Sequence, residues 1–186
     1  YLGLAVEPSV FPTSFPRKPL DTPTPRIALI PCSRWLTKNW PTTRFIETAT
    51  ALRKATNGSI YLVGGPENAG LCRDMETALQ GHALNTCGKT SLVELGSLLQ
   101  EMDLVLSVDS GPMHMAATLG KPVLAIFGAT DPLRTGPYGK QHRVLTVDGL
   151  ECRPCLSKSC ARIDLACLRD LPSESVITAA LEMLGQ

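Results

Sequence analysis

Leu104-Val-Leu-Ser-Val108-Asp109-Ser110-Gly111-Pro112-Met113-His114-Met115-Ala116-Ala117 decides how this chain reads. An apolar run with strand character stops at Val108. A polar turn with one glycine follows, and an Ala-rich helical segment begins within a few residues. In α/β proteins a strand, a tight turn and a helix aim backbone N–H groups and a helix N-terminus at a phosphate. Here the turn adds a carboxylate, a hydroxyl and an imidazole. That set suits an anionic ligand rich in hydroxyls.

Outward from this segment the same alternation repeats. Ile27–Ile30 is a short apolar run stopped by Pro31, and residues 41–55 open with proline and place Phe45, Ala49 and Leu52 on one helical face. Ile60–Val63 reads as a strand ending at Gly64-Gly65-Pro66, and a helix is expected over Glu67–Leu79. A weak strand at His82–Asn85 leads to Ser91, an N-cap with Glu94 three residues on, and a helix to Met102. Val123–Phe127 and Val144–Val147 are further strands, and a last helix runs from Ser173 to near Gly185. Strands alternating with helices predict a Rossmann-like, three-layer α/β/α fold with a mostly parallel sheet. Residues 1–25 stand apart, with six prolines that read as a linker or strap. The remainder divides into a Rossmann-like unit over 26–150, a cysteine-rich loop over 151–170 and a helical end over 171–186.

Composition removes several functional classes. The 186 residues are 44% hydrophobic and 19% charged, which fits a globular protein with one core. A net charge of +1, no Lys/Arg run and 5% aromatics argue against nucleic-acid binding. No apolar stretch reaches the roughly 18 residues of a membrane-spanning helix. The first residues lack the basic flank and apolar block of a secretory leader. The chain opens at Tyr1 and reads as a piece of something longer.

In such sheets a ligand sits beyond the carboxyl ends of the strands, where the connectivity reverses. Four polar loops are predicted at that edge: Cys32–Lys38, Gly64–Glu67, Asp109–Gly111 and Gly128–Asp131. Lys38 can neutralise a phosphate, Asp109 and Glu67 can accept from sugar hydroxyls, and His114 can donate to a leaving diphosphate. Plainer roles stand beside these. Asp109-Ser110 can cap a helix, His114 can be an ordinary partly buried imidazole, and Lys38 a solvated charge. Glu67 can serve as a first-turn helix acid, and Trp40-Pro41 reads as structural.

Lys38-Asn-Trp40-Pro41 after Ser33, then Asp109-Ser110-Gly111-Pro112-Met113-His114, resembles glycosyltransferase family 9, the heptosyltransferases. Phe127-Gly128-Ala129-Thr130-Asp131-Pro132 and the late cysteine-rich loop extend the resemblance from about Arg26 to the C-terminus. It implies the second, donor-binding half of a GT-B enzyme that transfers heptose from ADP-heptose to a lipid A–core acceptor with inversion. It further implies that Ser33 and Lys38 contact the donor diphosphate. Asp109, Ser110, Gly111 and His114 would surround sugar and phosphates, and Glu67 would meet the ribose. The catalytic base is expected in the other half, no cofactor is required, and the location expected is cytoplasmic, peripheral at the inner face of the bacterial inner membrane.

Cys152, Cys155, Cys160 and Cys167 crowd one loop. They are open to three readings: a zinc or iron–sulfur site, free thiols, or disulfides, the last disfavoured in a reducing cytoplasm. The spacing is irregular for a zinc ribbon. Cys32, Cys72 and Cys87 read as ordinary buried small residues. Two other functions compete. A nicotinamide oxidoreductase would want Gly-x-Gly-x-x-Gly after the first strand, where this chain has Pro31-Cys-Ser-Arg-Trp. A stand-alone, non-catalytic nucleotide-binding or cysteine-loop metal module is the other.

Overall fold

The computed structural model describes residues 14–186. Among them six strands form one parallel sheet: β1 (Arg26–Ile30), β2 (Ser59–Leu62), β3 (Ala83–Asn85), β4 (Leu104–Val108), β5 (Val123–Ile126) and β6 (Arg143–Leu145). The strand order is β3-β2-β1-β4-β5-β6, so the connectivity reverses between β1 and β4. The helices are α1 (Thr42–Thr56), α2 (Ala69–Ala78), α3 (Leu92–Gln100), α4 (Gly111–Thr118), α5 (Pro132–Thr135), α6 (Ala166–Arg169) and α7 (Ser173–Leu184). This is the doubly wound architecture expected from the alternation of elements.

Period-two alternation along the central strands feeds two cores. Ile27, Leu29, Leu104, Leu106 and Val108 join the side packed by α1, α2 and α7. Ala28, Ile30 and Val105 join the side packed by α3 and α4. The central strands are buried on both faces, which is why they read as unbroken apolar runs. Trp40 closes one end of the first core: its indole N–H donates to the Leu171 carbonyl at 3.1 Å, and its ring meets Phe45 edge-on at 5.0 Å.

The expected elements recur with shifted ends. The segment from Glu67 begins as a 3-10 turn, Pro66–Asn68, and becomes α-helical only at Ala69. The predicted loop over 151–170 contains the short helix α6.

Residues 14–25 carry neither strand nor helix and lie across the α3 side. The Phe15 N–H donates to Gln100 Oε1 at 3.0 Å, and Gln100 Nε2 donates back to the Phe15 carbonyl at 2.9 Å. The Phe15 ring fills the space where a side chain on Gly96 would stand. Residues 1–13 of the proline-rich stretch lie outside the described residues.

Candidate functional site

The loops after β1, β2 and β4 converge at the carboxyl edge of the sheet, beside the point where connectivity reverses. They enclose a cleft of about 690 Å³, within the usual range for a small-molecule site. Ser33, Lys38, Glu67, Ser110 and Gly111 line it, together with Cys32, Arg34, Trp35, Gly64, Gly65, Asn68 and Pro112. Asp109 and His114 are not in the lining.

Each loop has a local reason for its shape. Asn39 closes the first: the Ser33 N–H donates to Asn39 Oδ1 at 2.7 Å, and Asn39 Nδ2 donates to the Ser33 carbonyl at 3.2 Å. Two ammonium groups approach the Trp35 ring, Lys38 at 4.7 Å and Lys158 at 5.3 Å from its centre. In the second loop the Glu67 carboxylate folds back over Gly65 and accepts from Asn68 Nδ2 at 3.3 Å. Burial, and then the nearby Glu67 carboxylate, push the Cys32 thiol up to about 11. In the third loop Ser110 is the N-cap of α4, its hydroxyl accepting from the Met113 N–H at 3.4 Å.

Asp109 takes a different place from the one its motif suggests. It is only 4% exposed. Its Oδ2 lies 2.9 Å from Lys38 Nζ and accepts from the Thr130 hydroxyl at 2.7 Å. Its Oδ2 is therefore engaged within the protein, and Ser110, not Asp109, caps the helix. His114 is exposed in the first turn of α4, its backbone N–H on the Ser110 carbonyl at 3.4 Å. The fourth loop stays outside the cleft: Thr130 braces Asp109, and Asp131 caps α5 through the Leu133 N–H at 2.9 Å. Sequence reading assigned no role to Arg34, Trp35 or Asn68. Their place in loops that directly follow strands was the available signal.

The cysteine-rich loop is fastened to the same edge. Thr37 Oγ1 donates to the Ser157 carbonyl at 2.6 Å, the Leu156 N–H to the Ala129 carbonyl at 2.9 Å, and Arg153 Nε to the Gly128 carbonyl at 2.7 Å. Cys152, Cys155, Cys160 and Cys167 line one narrow cavity of about 80 Å³. Among the described residues no three His, Cys, Asp or Glu side chains are arranged to hold a metal ion. Burial pushes the Cys167 thiol up.

Cys72 and Cys87 correct the sequence reading. They are buried, as expected, but joined in a disulfide between α2 and the loop after β3. Their Cα atoms lie 6.4 Å apart, within bridging range. The Cys87 sulfur stands behind Gly64, 3.2 Å from where a Cβ would be, so the disulfide backs the cleft wall.

Comparisons with known proteins agree with this architecture. Residues 8–165 match the family model of glycosyltransferase family 9 (heptosyltransferase). Lipooligosaccharide heptosyltransferase 2 of Campylobacter jejuni is 31% identical over 150 residues, which is 79% of this chain and 47% of the relative. A family 9 glycosyl transferase structure from Veillonella parvula superposes with a TM-score of 0.75 at 26% identity, covering 86% of this chain and 45% of that one. The Escherichia coli ADP-heptose LPS heptosyltransferase II shares the fold, with a TM-score of 0.74 at 23% identity over 87% of this chain and 47% of its own. The chain thus spans about half the length of the relatives it matches. With a family match running through most of its sequence, this chain belongs to glycosyltransferase family 9 (heptosyltransferase).

Proposed function

We propose that this chain is the donor-binding half of an inverting heptosyltransferase of lipopolysaccharide core assembly, taking ADP-heptose or a related nucleotide-diphosphate sugar. The observation that carries the reading is the cleft at the sheet reversal, with Lys38 and the amino end of α4 on its wall. A helix N-terminus and an ammonium together attract a diphosphate. The name of the E. coli structural relative supplies the donor class.

In this reading an acceptor hydroxyl attacks the anomeric carbon as the bond from that carbon to the diphosphate oxygen breaks. The acceptor proton passes to a base from the half of the family's length this chain does not span, and ADP departs. Lys38 and the turn at Ser110-Gly111 stabilise the charge that develops on the leaving diphosphate. Asp109 holds Lys38 in place, and Glu67 faces the ribose hydroxyls. Protein cations meet the charge, so the scheme needs no divalent ion, and a metal in the cysteine loop is not part of it. The acceptor is a lipid A–core precursor, reached at the cytoplasmic face of the inner membrane. Among the described residues no helix is long and apolar enough to cross a membrane.

Calorimetric titration of the purified chain with ADP, UDP and NAD tests the reading. Saturable binding that favours ADP is expected. A preference for NAD, or no nucleotide binding, overturns it.

A further inference from the structure

We propose that Arg34 is a diphosphate-binding residue of this cleft, adding an unpaired positive charge beside Lys38, whose own charge is shared with Asp109. The inference rests on the donor-binding reading above and adds a residue to it. Lys38 is paired at 2.9 Å with Asp109, which is buried and further held by Thr130. Seen from the cleft, that pair is close to neutral. Glu67 adds a negative charge to the lining. A sugar diphosphate brings about two negative charges of its own. Beside the amino end of α4, the Lys38–Asp109 pair and Glu67 leave little net positive charge on the wall to meet it.

The cations in the lining are Lys38 and Arg34. Arg34 is exposed, and its guanidinium has no hydrogen bond or ion pair among the described residues. Its backbone is not loose, because the neighbouring Ser33 is fixed on both backbone polar groups by Asn39. A guanidinium presents a planar fork of donors that matches two phosphate oxygens at once. Arg34 therefore offers an uncommitted charge, a suitable geometry and an anchored base on the rim of the cleft. Lys38 sets the floor of the diphosphate site, and Arg34 closes over it.

The test compares the parent chain with Arg34→Ala and Arg34→Lys by calorimetry, using ADP, inorganic pyrophosphate and adenosine as probes. Arg34→Ala is expected to weaken ADP and pyrophosphate about tenfold. It should leave adenosine affinity, circular dichroism and thermal midpoint at parent values, and flatten the salt dependence of ADP binding. Arg34→Lys should recover part of the pyrophosphate affinity. Parent-like ADP and pyrophosphate binding by Arg34→Ala overturns this proposal alone. So does an equal loss of adenosine, which marks a structural effect. A parent chain that binds no ADP overturns the donor-binding reading together with it.

Discussion

The Lys38–Asp109 pair ties binding to folding at a single position. Lys38 is 17% exposed at its side chain and Asp109 5%, so removing the lysine leaves a buried carboxylate with only hydroxyl partners. Lys38→Met is expected to destabilise the chain by about 3 kcal/mol in urea unfolding. Thr130→Val, which removes one hydrogen bond to a charge, should cost about 2 kcal/mol. Loss of nucleotide affinity in a Lys38 variant therefore needs its stability measured alongside. Cys32 makes a pH prediction. Its thiol is raised from the ordinary 9.0 to about 11, so folding favours the neutral form. The associated stability is whole below pH 9.0 and declines as the pH climbs toward 11. The parent should lose more stability over that interval than Cys32→Ala does. Lys38 and Ser110 were legible because their motifs name them. Asp109's partner was not, because the pair forms only when the loops after β1 and β4 meet. The Cys72–Cys87 disulfide was hidden for a similar reason: burial explained each thiol alone, and only the packing of α2 brings them together. Thiol titration of the unfolded chain should find five thiols before reduction and the further pair after it.

Local signals carried most of the element boundaries. Ser91 and Glu94 form the reciprocal cap read from their spacing, with Ser91 N–H on Glu94 Oε2 at 2.9 Å and Glu94 N–H on Ser91 Oγ at 3.3 Å. The apolar stripe of α1 is buried as its period requires. Tertiary contacts decided the rest. Gly128, just past β5, shows this most clearly. A Cβ there would lie 2.7 Å from the Thr37 carbonyl and 2.8 Å from the Leu168 side chain. Three separate segments meet at that point: the turn bearing Lys38, the end of β5 and α6. No pattern within any one of them announces the meeting. Gly128→Ala is expected to destabilise the chain by about 2 kcal/mol and to lower ADP affinity through the displaced Lys38 turn. Unfolding and calorimetry on the same sample check both effects.

Across the molecule, the sheet order explains why the candidate residues lie far apart in sequence and close in space. The connectivity reversal parts the helices that follow β1 and β4, and the opening between them is the cleft. The parallel sheet and the edge on which the polar loops gather followed from the alternation of elements; the order of strands did not. Which side chains face the cleft, and which turn inward to brace it, depended on contacts between loops and was not readable. The same arrangement divides the two tryptophans of the chain. Trp40 is sealed, 1% exposed, with its indole N–H engaged. Trp35 stands in the cleft wall with two ammonium groups near its ring. The protein consequently carries its own optical reporter. A phosphate-bearing guest that draws Lys38 or Lys158 from the ring should change the intensity and wavelength of Trp35 emission, while the sealed indole supplies a constant background. Titrating Trp35→Phe should abolish that signal without abolishing the heat of binding.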